Sequence, residues 1–356
     1  MSNKIYFTPG PAQLFYTFEE HLKRALSLDI PSISHRSSVF IKTIEETTEA
    51  LKELLELPDG YNIYFLNSAN EAWDRIIQNL VEHSSHHFAN GAFSKKFYDF
   101  AKAQNKSSTI HEVSDGQVFT DWTIPSEAEL IGITKNETSV GFTITEEEIA
   151  TLRKNNPDKL IALDVVSASP SLSVNFTNVD TAYLSVQKAF GLPAGLGIWI
   201  VNERCHEIAE RRASSTSIGS YRALPNLKKF GDKHQTPETP NMLAIYTLGK
   251  IAKDMLQIGL KRLRNDTIYK ATLLNQAVES HSELEHFVTS KNHRSKTTIV
   301  ANAKNAEQII SSFEKKEIII GTGYGKYKSN QIRIANFPTH SKESVEMVCD
   351  LLKEVK

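Results

Sequence analysis

Tyr183-Leu184-Ser185-Val186-Gln187-Lys188-Ala189-Phe190-Gly191-Leu192-Pro193-Ala194-Gly195-Leu196-Gly197-Ile198-Trp199-Ile200-Val201 reads as two apolar strands joined by a loop of glycine and proline, with one lysine just past the first strand. Its aromatic and branched residues suit strands at 181–186 and Gly197–Val201, and the glycines and proline between them mark a loop. Upstream, Leu130–Thr134 and Leu160–Asp164 are further apolar runs, separated by a helical pattern over 145–154. Earlier still, a strand over 61–66 runs into a helix over 71–81, and a weak strand over 86–88 into a helix over 94–103. Strand alternating with helix predicts a mostly parallel sheet covered by helices, an α/β fold.

The flanks differ. Helical spacing predicts helices over 16–28 and 38–57, the second ending at Pro58. Past Pro240 the pattern becomes one long helix over 241–282. Strands follow at 297–300, 317–320 and Gln331–Ala335, with helices over 305–315 and 341–355. This predicts a second, small α+β body. We expect a large domain over 1–245, whose N-terminal segment packs on the small one, and a linking helix plus small domain over 246–356. A chain of 356 residues exceeds what one core usually serves.

Composition narrows the class. Hydrophobic residues make up 40% and charged residues 23%, with a formal net charge of -1, values of an ordinary soluble protein without the basic footprint of a nucleic-acid binder. No stretch has the apolar length of a membrane span, and the N-terminus lacks a signal-like apolar core. Cys205 and Cys349 form no CxxC pair, so neither a disulfide framework nor a metal site is expected. A cytoplasmic protein fits.

Lys188 is the first candidate for chemistry. An amine used in Schiff-base chemistry needs a fixed, partly desolvated site that lowers its pKa. A strand end supplies the position, although most lone lysines are simply solvated. Asp164 ends its own apolar strand, at the edge where open α/β sheets bind ligands. A carboxylate there suits the ring nitrogen of a pyridine cofactor, and equally a helix cap. Asn67-Ser68-Ala69-Asn70, between a strand and a helix, suits a phosphate at a helix N-terminus or plain capping. Phe93 is a candidate to stack on a cofactor ring or to join the core. Arg36, beside His35 in a polar loop, and Arg333, within a strand, suit a substrate carboxylate, though Arg333 equally suits a structural salt bridge.

Taken in order, several segments resemble class V pyridoxal-phosphate aminotransferases, and within them the phosphoserine aminotransferase branch: Phe7-Thr8-Pro9-Gly10-Pro11-Ala12, Ser34-His35-Arg36-Ser37, Asn136-Glu137-Thr138-Ser139-Val140-Gly141, Ala162-Leu163-Asp164-Val165-Val166-Ser167, Gln187-Lys188 with Gly191-Leu192-Pro193-Ala194-Gly195-Leu196, then Gln235-Thr236-Pro237 and Arg333. The resemblance implies a fold-type I transferase with a seven-stranded sheet, and pyridoxal 5'-phosphate held as a Schiff base on Lys188. It implies Asp164 on the ring nitrogen, Thr138 on the ring oxygen, and Phe93 covering the ring where the family has tryptophan. Ala69, Asn70 and Gln187 would hold the phosphate. Gln235 and Thr236 would reach the cofactor of a partner in a homodimer. Arg333 would bind the substrate α-carboxylate, and His35 and Arg36 would face its side chain.

The family's basic pair ahead of that last arginine is Lys326-Tyr327 here, Asn70 replaces an arginine or small residue, and Gln235 replaces an asparagine. The implied reaction is phosphoserine plus 2-oxoglutarate giving phosphohydroxypyruvate plus glutamate. The alternative is transamination of an unphosphorylated amino acid (alanine, serine or aspartate) with glyoxylate or pyruvate. A cysteine desulfurase is disfavoured, because neither cysteine sits in an active-site loop. A non-catalytic scaffold is disfavoured by the intact Asp164 and Lys188.

Overall fold

A computed structural model describes residues 4–355. In chain order it runs β1 (Ile5–Phe7), α1 (Phe18–Ser27), α2 (Ser38–Leu54), β2 (Asn62–Leu66), α3 (Ala69–Leu80), β3 (Ser85–Ala89), α4 (Ala92–Ala103), β4 (Thr109–Glu112), β5 (Leu130–Thr134), a short hairpin of β6 (Asn136–Glu137) and β7 (Phe142–Thr143), α5 (Glu146–Asn155), β8 (Leu160–Asp164), β9 (Thr181–Ser185), β10 (Gly197–Val201), α6 (Glu203–Ser215), α7 (Leu224–Gly231), α8 (Met242–Ile258), α9 (Leu260–Ser280), β11 (Leu284–His286), β12 (Thr298–Ala303), α10 (Ala306–Glu314), β13 (Ile318–Thr322), β14 (Gln331–Ala335) and α11 (Lys342–Glu354).

Seven strands form the larger sheet in the order β2-β10-β9-β8-β5-β3-β4. Only β10 runs against its neighbours. Both faces are covered, so successive residues of one strand enter different cores. Ile161 and Leu163 join a core with α2 and α8. Leu160 and Ala162 join another with α3, α4 and α6. This explains why these strands are unbroken apolar runs rather than alternating ones. The register places Thr134 beside Asp164, Asp164 beside Tyr183, and Gly197 beside both Ser185 and Leu66. The C-terminal ends of β2, β5, β8 and β9 therefore share one edge.

A second sheet, β1-β13-β14-β12-β11, packs against α9, α10 and α11. Its first strand comes from the chain's start and pairs in parallel with β13. No helix among the described residues is long and apolar enough to cross a membrane.

Three details depart from the sequence pattern. The helix expected over 241–282 is two helices, broken at Gly259, whose φ of +91° is easy only for glycine. Met242, Ile245, Leu248 and Met255 before the break join the core under the large sheet, whereas Leu274 and Val278 beyond it join the core of the small one. The weak strand over 86–88 is a fully buried five-residue strand flanked by β4 and β5; its two histidines and serine masked it. Finally β1, β4, β11, α6 and α7 lie where no element was expected. The strands are only three or four residues long, too short for periodicity to register, and β1 pairs with a strand at the far end of the chain. Cys205 accordingly lies inside α6, buried.

Candidate active site

The shared edge of β2, β5, β8 and β9 opens into a cavity of about 350 Å³, whose lining includes Ala69, Asn70, Phe93, Thr138, Asp164, Gln187, Lys188 and Arg333. Residues spread over most of the chain's length thus meet in one place. The register explains it: β8 delivers Asp164, and β9 delivers Ser185 and then, three residues on, Lys188.

Lys188 is buried, and its Nζ donates to Thr138 Oγ1 at 2.8 Å. Thr138 in turn donates to Ser167 Oγ at 2.8 Å, and Ser167 donates to the carbonyl of Asn136 at 2.9 Å. The Phe93 ring centroid lies 5.2 Å from the same Nζ. Gly10, at φ +123°, packs so closely on the Lys188 stem that a Cβ there would sit 3.1 Å from its Cγ and Cε. A left-handed conformation and a close approach thus both require glycine in the Pro9-Gly10-Pro11 turn. Burial lowers the Lys188 pKa well below the ordinary lysine value, partly offset by the negative charges of Asp164 and Glu137. Burial likewise raises the Asp164 pKa, although the Val166 N–H donates to one of its oxygens at 2.9 Å. Each ionised group helps the other, yet no ion pair within 4.0 Å joins them among the described residues. Both line the same cavity.

At the other end, the Ser68 hydroxyl caps α3 by accepting from Glu71 N–H at 3.2 Å, and the Ser185 hydroxyl accepts from Ala69 N–H at 3.0 Å. The first turn of a helix has N–H groups without intrahelical partners and a positive dipole end, so this corner attracts an anion. Gln187 lines the same cavity, and its Oε1 is buried without a protein partner. A carboxylate, a helix N-terminus, an amine and an aromatic face around one slot match the donors that pyridoxal phosphate needs.

Arg333 meets backbone carbonyls. Its Nε donates to the Thr322 carbonyl at 2.7 Å and its Nη1 to the Thr138 carbonyl at 3.4 Å. It has no carboxylate partner among the described residues, and burial lowers its pKa. A half-buried guanidinium held only by carbonyls has donors left over for an anion.

Four expected residues are not in this cavity. Arg36 Nη1 donates to Gln235 Oε1 at 2.7 Å, and its guanidinium lies 4.9 Å from the Phe230 ring centroid. His35 Nδ1 is 3.3 Å from Thr239 Oγ1, and Thr236 donates to the Glu238 carbonyl at 2.7 Å. These residues form one cluster, but it lies apart from Lys188, and Gln235 and Thr236 line a separate groove. His35 and Arg36 are thus not among the residues that line the Lys188 cavity. Lys326, the expected substitute for a lost basic pair, is exposed and ion-paired with Asp115 at 2.8 Å. Tyr327 donates to the same carboxylate at 2.8 Å.

Two residues of the site escaped the sequence. Tyr324 lines the cavity, 5.5 Å from the Arg333 guanidinium and 5.2 Å from the Phe93 ring. Glu137, fully buried, accepts from Ser94 N–H at 2.7 Å, Phe93 N–H at 3.1 Å, Ser139 N–H at 3.1 Å and the Ser139 hydroxyl at 2.6 Å. It caps α4 and fixes Phe93. Its neighbour Thr138 was visible as a motif residue. The helix that Glu137 caps lies over forty positions upstream, beyond local pattern.

A family model described as aminotransferase class-V matches residues 8–330. The crystal structure of a phosphoserine aminotransferase from Cytophaga hutchinsonii superposes with a TM-score of 0.98 at 45% identity, covering 99% of both chains. A phosphoserine aminotransferase of Rhodococcus opacus is 29% identical over 335 residues, covering 88% of this chain and 85% of its own length. An aspartate aminotransferase from Thermus thermophilus shares the fold, with a TM-score of 0.86 at 19% identity over 99% of this chain and 100% of its own.

Proposed function

The chain belongs to the class-V aminotransferase family, and from that premise we propose that it is a pyridoxal-phosphate enzyme moving the amino group of phosphoserine to 2-oxoglutarate. The observation that carries the reading is the cavity where a buried lysine, a buried aspartate and an unpaired arginine converge. The names of the relatives from Cytophaga hutchinsonii and Rhodococcus opacus support the substrate.

When bound, pyridoxal phosphate supplies an electron sink for negative charge at the substrate α-carbon. The roles of the chain's own groups follow from their places. Asp164 keeps a ring nitrogen protonated, and its burial makes that pairing strong. Ala69, Asn70 and Gln187 would hold a phosphate at the α3 N-terminus, and the Thr138 hydroxyl would turn from Ser167 to donate to a ring oxygen. Phe93 covers the ring face. Lys188 anchors the cofactor, then takes a proton from the α-carbon and returns it; its lowered pKa provides the free amine this requires. Arg333 receives the α-carboxylate. His35, Arg36, Gln235 and Thr236, clustered apart from their own chain's cavity, act on the site of a second copy, so the working form is a homodimer, acting in the cytoplasm.

The test is spectroscopic. Purified protein mixed with pyridoxal phosphate should show a cofactor absorbance band that Lys188→Ala abolishes. A single-turnover donor screen should show phosphoserine depleting the band. Depletion by alanine or aspartate but not by phosphoserine would overturn the substrate.

A further inference from the structure

Beside the cavity stands a cation to which none of the roles above applies. Lys96 lies one turn after Phe93 on α4, half-buried, and its Nζ donates to the Tyr324 hydroxyl at 2.9 Å. The same Nζ lies 5.3 Å from the Phe93 ring centroid and 5.5 Å from that of Tyr324. Both rings line the cavity. Among the described residues no carboxylate lies within 4.0 Å of Lys96, whereas Lys95 has Asp99 and Glu112, and Lys326 has Asp115.

We propose that Lys96 and the Tyr324 hydroxyl form the receptor for a second anion of the substrate, the charged group on its side chain. The inference rests on the transaminase reading and specifies its substrate class: amino acids whose side chain ends in a phosphate or carboxylate. Three observations converge. The Tyr324 ring separates two cations, with the Arg333 guanidinium 5.5 Å from its centroid and Lys96 on its hydroxyl. Lys96 itself does not line the cavity, but Tyr324 does, so a substrate with its α-carboxylate on Arg333 has a path along that ring by which its side chain would meet the Tyr324 hydroxyl and Lys96 behind it. The Tyr324 oxygen already accepts from Lys96, which leaves its own O–H free to donate to an anion. Lys96 and Tyr324 come from different parts of the fold, α4 and the turn after β13, and nothing structural requires them to meet beside a cavity. Lys326, the nearest basic residue by sequence to the family's pattern, is held by Asp115 away from it. A charge-assisted pair in a partly desolvated slot discriminates strongly against a neutral side chain.

The test uses the cofactor-loaded full chain. Single-turnover rates are measured against donor concentration for O-phosphoserine, glutamate, aspartate and alanine, in wild type, Lys96→Met, Lys96→Arg, Tyr324→Phe and Lys326→Met. Methionine keeps the apolar stem of Lys96 on α4, so folding is preserved. Lys96→Met should raise the half-saturating concentration of anionic donors about tenfold or more relative to alanine. Lys96→Arg should restore most of the preference, Tyr324→Phe should lose part of it, and Lys326→Met should leave the ratio unmoved. A larger effect on phosphoserine than on glutamate and aspartate assigns the receptor to phosphate; equal effects assign it to carboxylates as well. If Lys96→Met shifts all donors alike, or none, the inference is overturned while the functional reading stands. If wild type converts no donor, both fall.

Discussion

Replacing Glu137 by glutamine tests whether one buried carboxylate ties the cofactor slot to the start of α4. One carboxylate oxygen accepts from Ser94 N–H and Phe93 N–H, the other from Ser139 N–H and Oγ. The side chain is fully buried, and no cation within 4.0 Å pairs with it among the described residues. Its charge is therefore stabilised by these four donors and by the positive end of α4. Glutamine keeps one acceptor oxygen and turns an NH2 group toward the other two donors. Hydrogen bonds to a charged group contribute about 1.5–3 kcal/mol each, so losing one to two of them predicts a destabilisation of about 1.5–6 kcal/mol. That is a large part of the stability of an ordinary domain. Urea unfolding followed by circular dichroism should show a lower midpoint at an unchanged slope. There is a second, independent readout. The negative charge of Glu137 raises the pKa of both Lys188 and Asp164, so removing it lowers both, and the acid-side limb, where free Lys188 is gained as pH rises, should move to lower pH. A loss below about 1 kcal/mol, with an unmoved pH profile, would refute the reasoning.

Three further outcomes follow from the geometry. Asp164→Asn removes the carboxylate beside the ring nitrogen while keeping its shape. The transamination rate should fall by about 10²–10³, the usual effect of deleting one preorganised electrostatic group, with the protein still folded by circular dichroism. Gly197→Ala would place a Cβ 2.4 Å from the Ser68 carbonyl carbon and 2.5 Å from its oxygen, displacing the turn that heads α3. Cofactor affinity, measured by equilibrium dialysis, should weaken by roughly tenfold or more, and full retention would show that Ser68 does not help to shape the phosphate corner. His340 is buried and neutral, its Nδ1 accepting from Phe337 N–H at 3.0 Å and its Nε2 donating to the Tyr6 carbonyl at 2.9 Å. Burial depresses its pKa from 6.5 to about 4, so the unfolded chain binds the extra proton first as pH drops. Its contribution is intact above pH 6.5 and is lost as pH falls through 4, roughly 3 kcal/mol in all, and His340→Gln should flatten that part of the stability–pH curve measured by urea unfolding.

Much of this protein was determined by its sequence. Runs such as Leu160–Asp164 and Gly197–Val201 are apolar at every position because both faces of the sheet are covered, and that burial requires no knowledge of neighbours. Strand ends carrying Lys188 and Asp164 were legible for the same reason. Only the tertiary structure decided what depends on distant partners. Arg333 in a strand is compatible with a salt bridge or an open receptor, and only the folded chain shows its guanidinium on the Thr322 and Thr138 carbonyls, with no carboxylate partner among the described residues. Lys326 carries the right charge near the right arginine, yet Asp115, more than two hundred positions away, holds it outside the cavity. Lys96, unremarkable on a helix face, acquires its meaning from Tyr324. His35, Arg36, Gln235 and Thr236 meet each other rather than Lys188. Burial is written locally in hydropathy; the pairing of charges is a property of three-dimensional neighbours, and no periodicity encodes it.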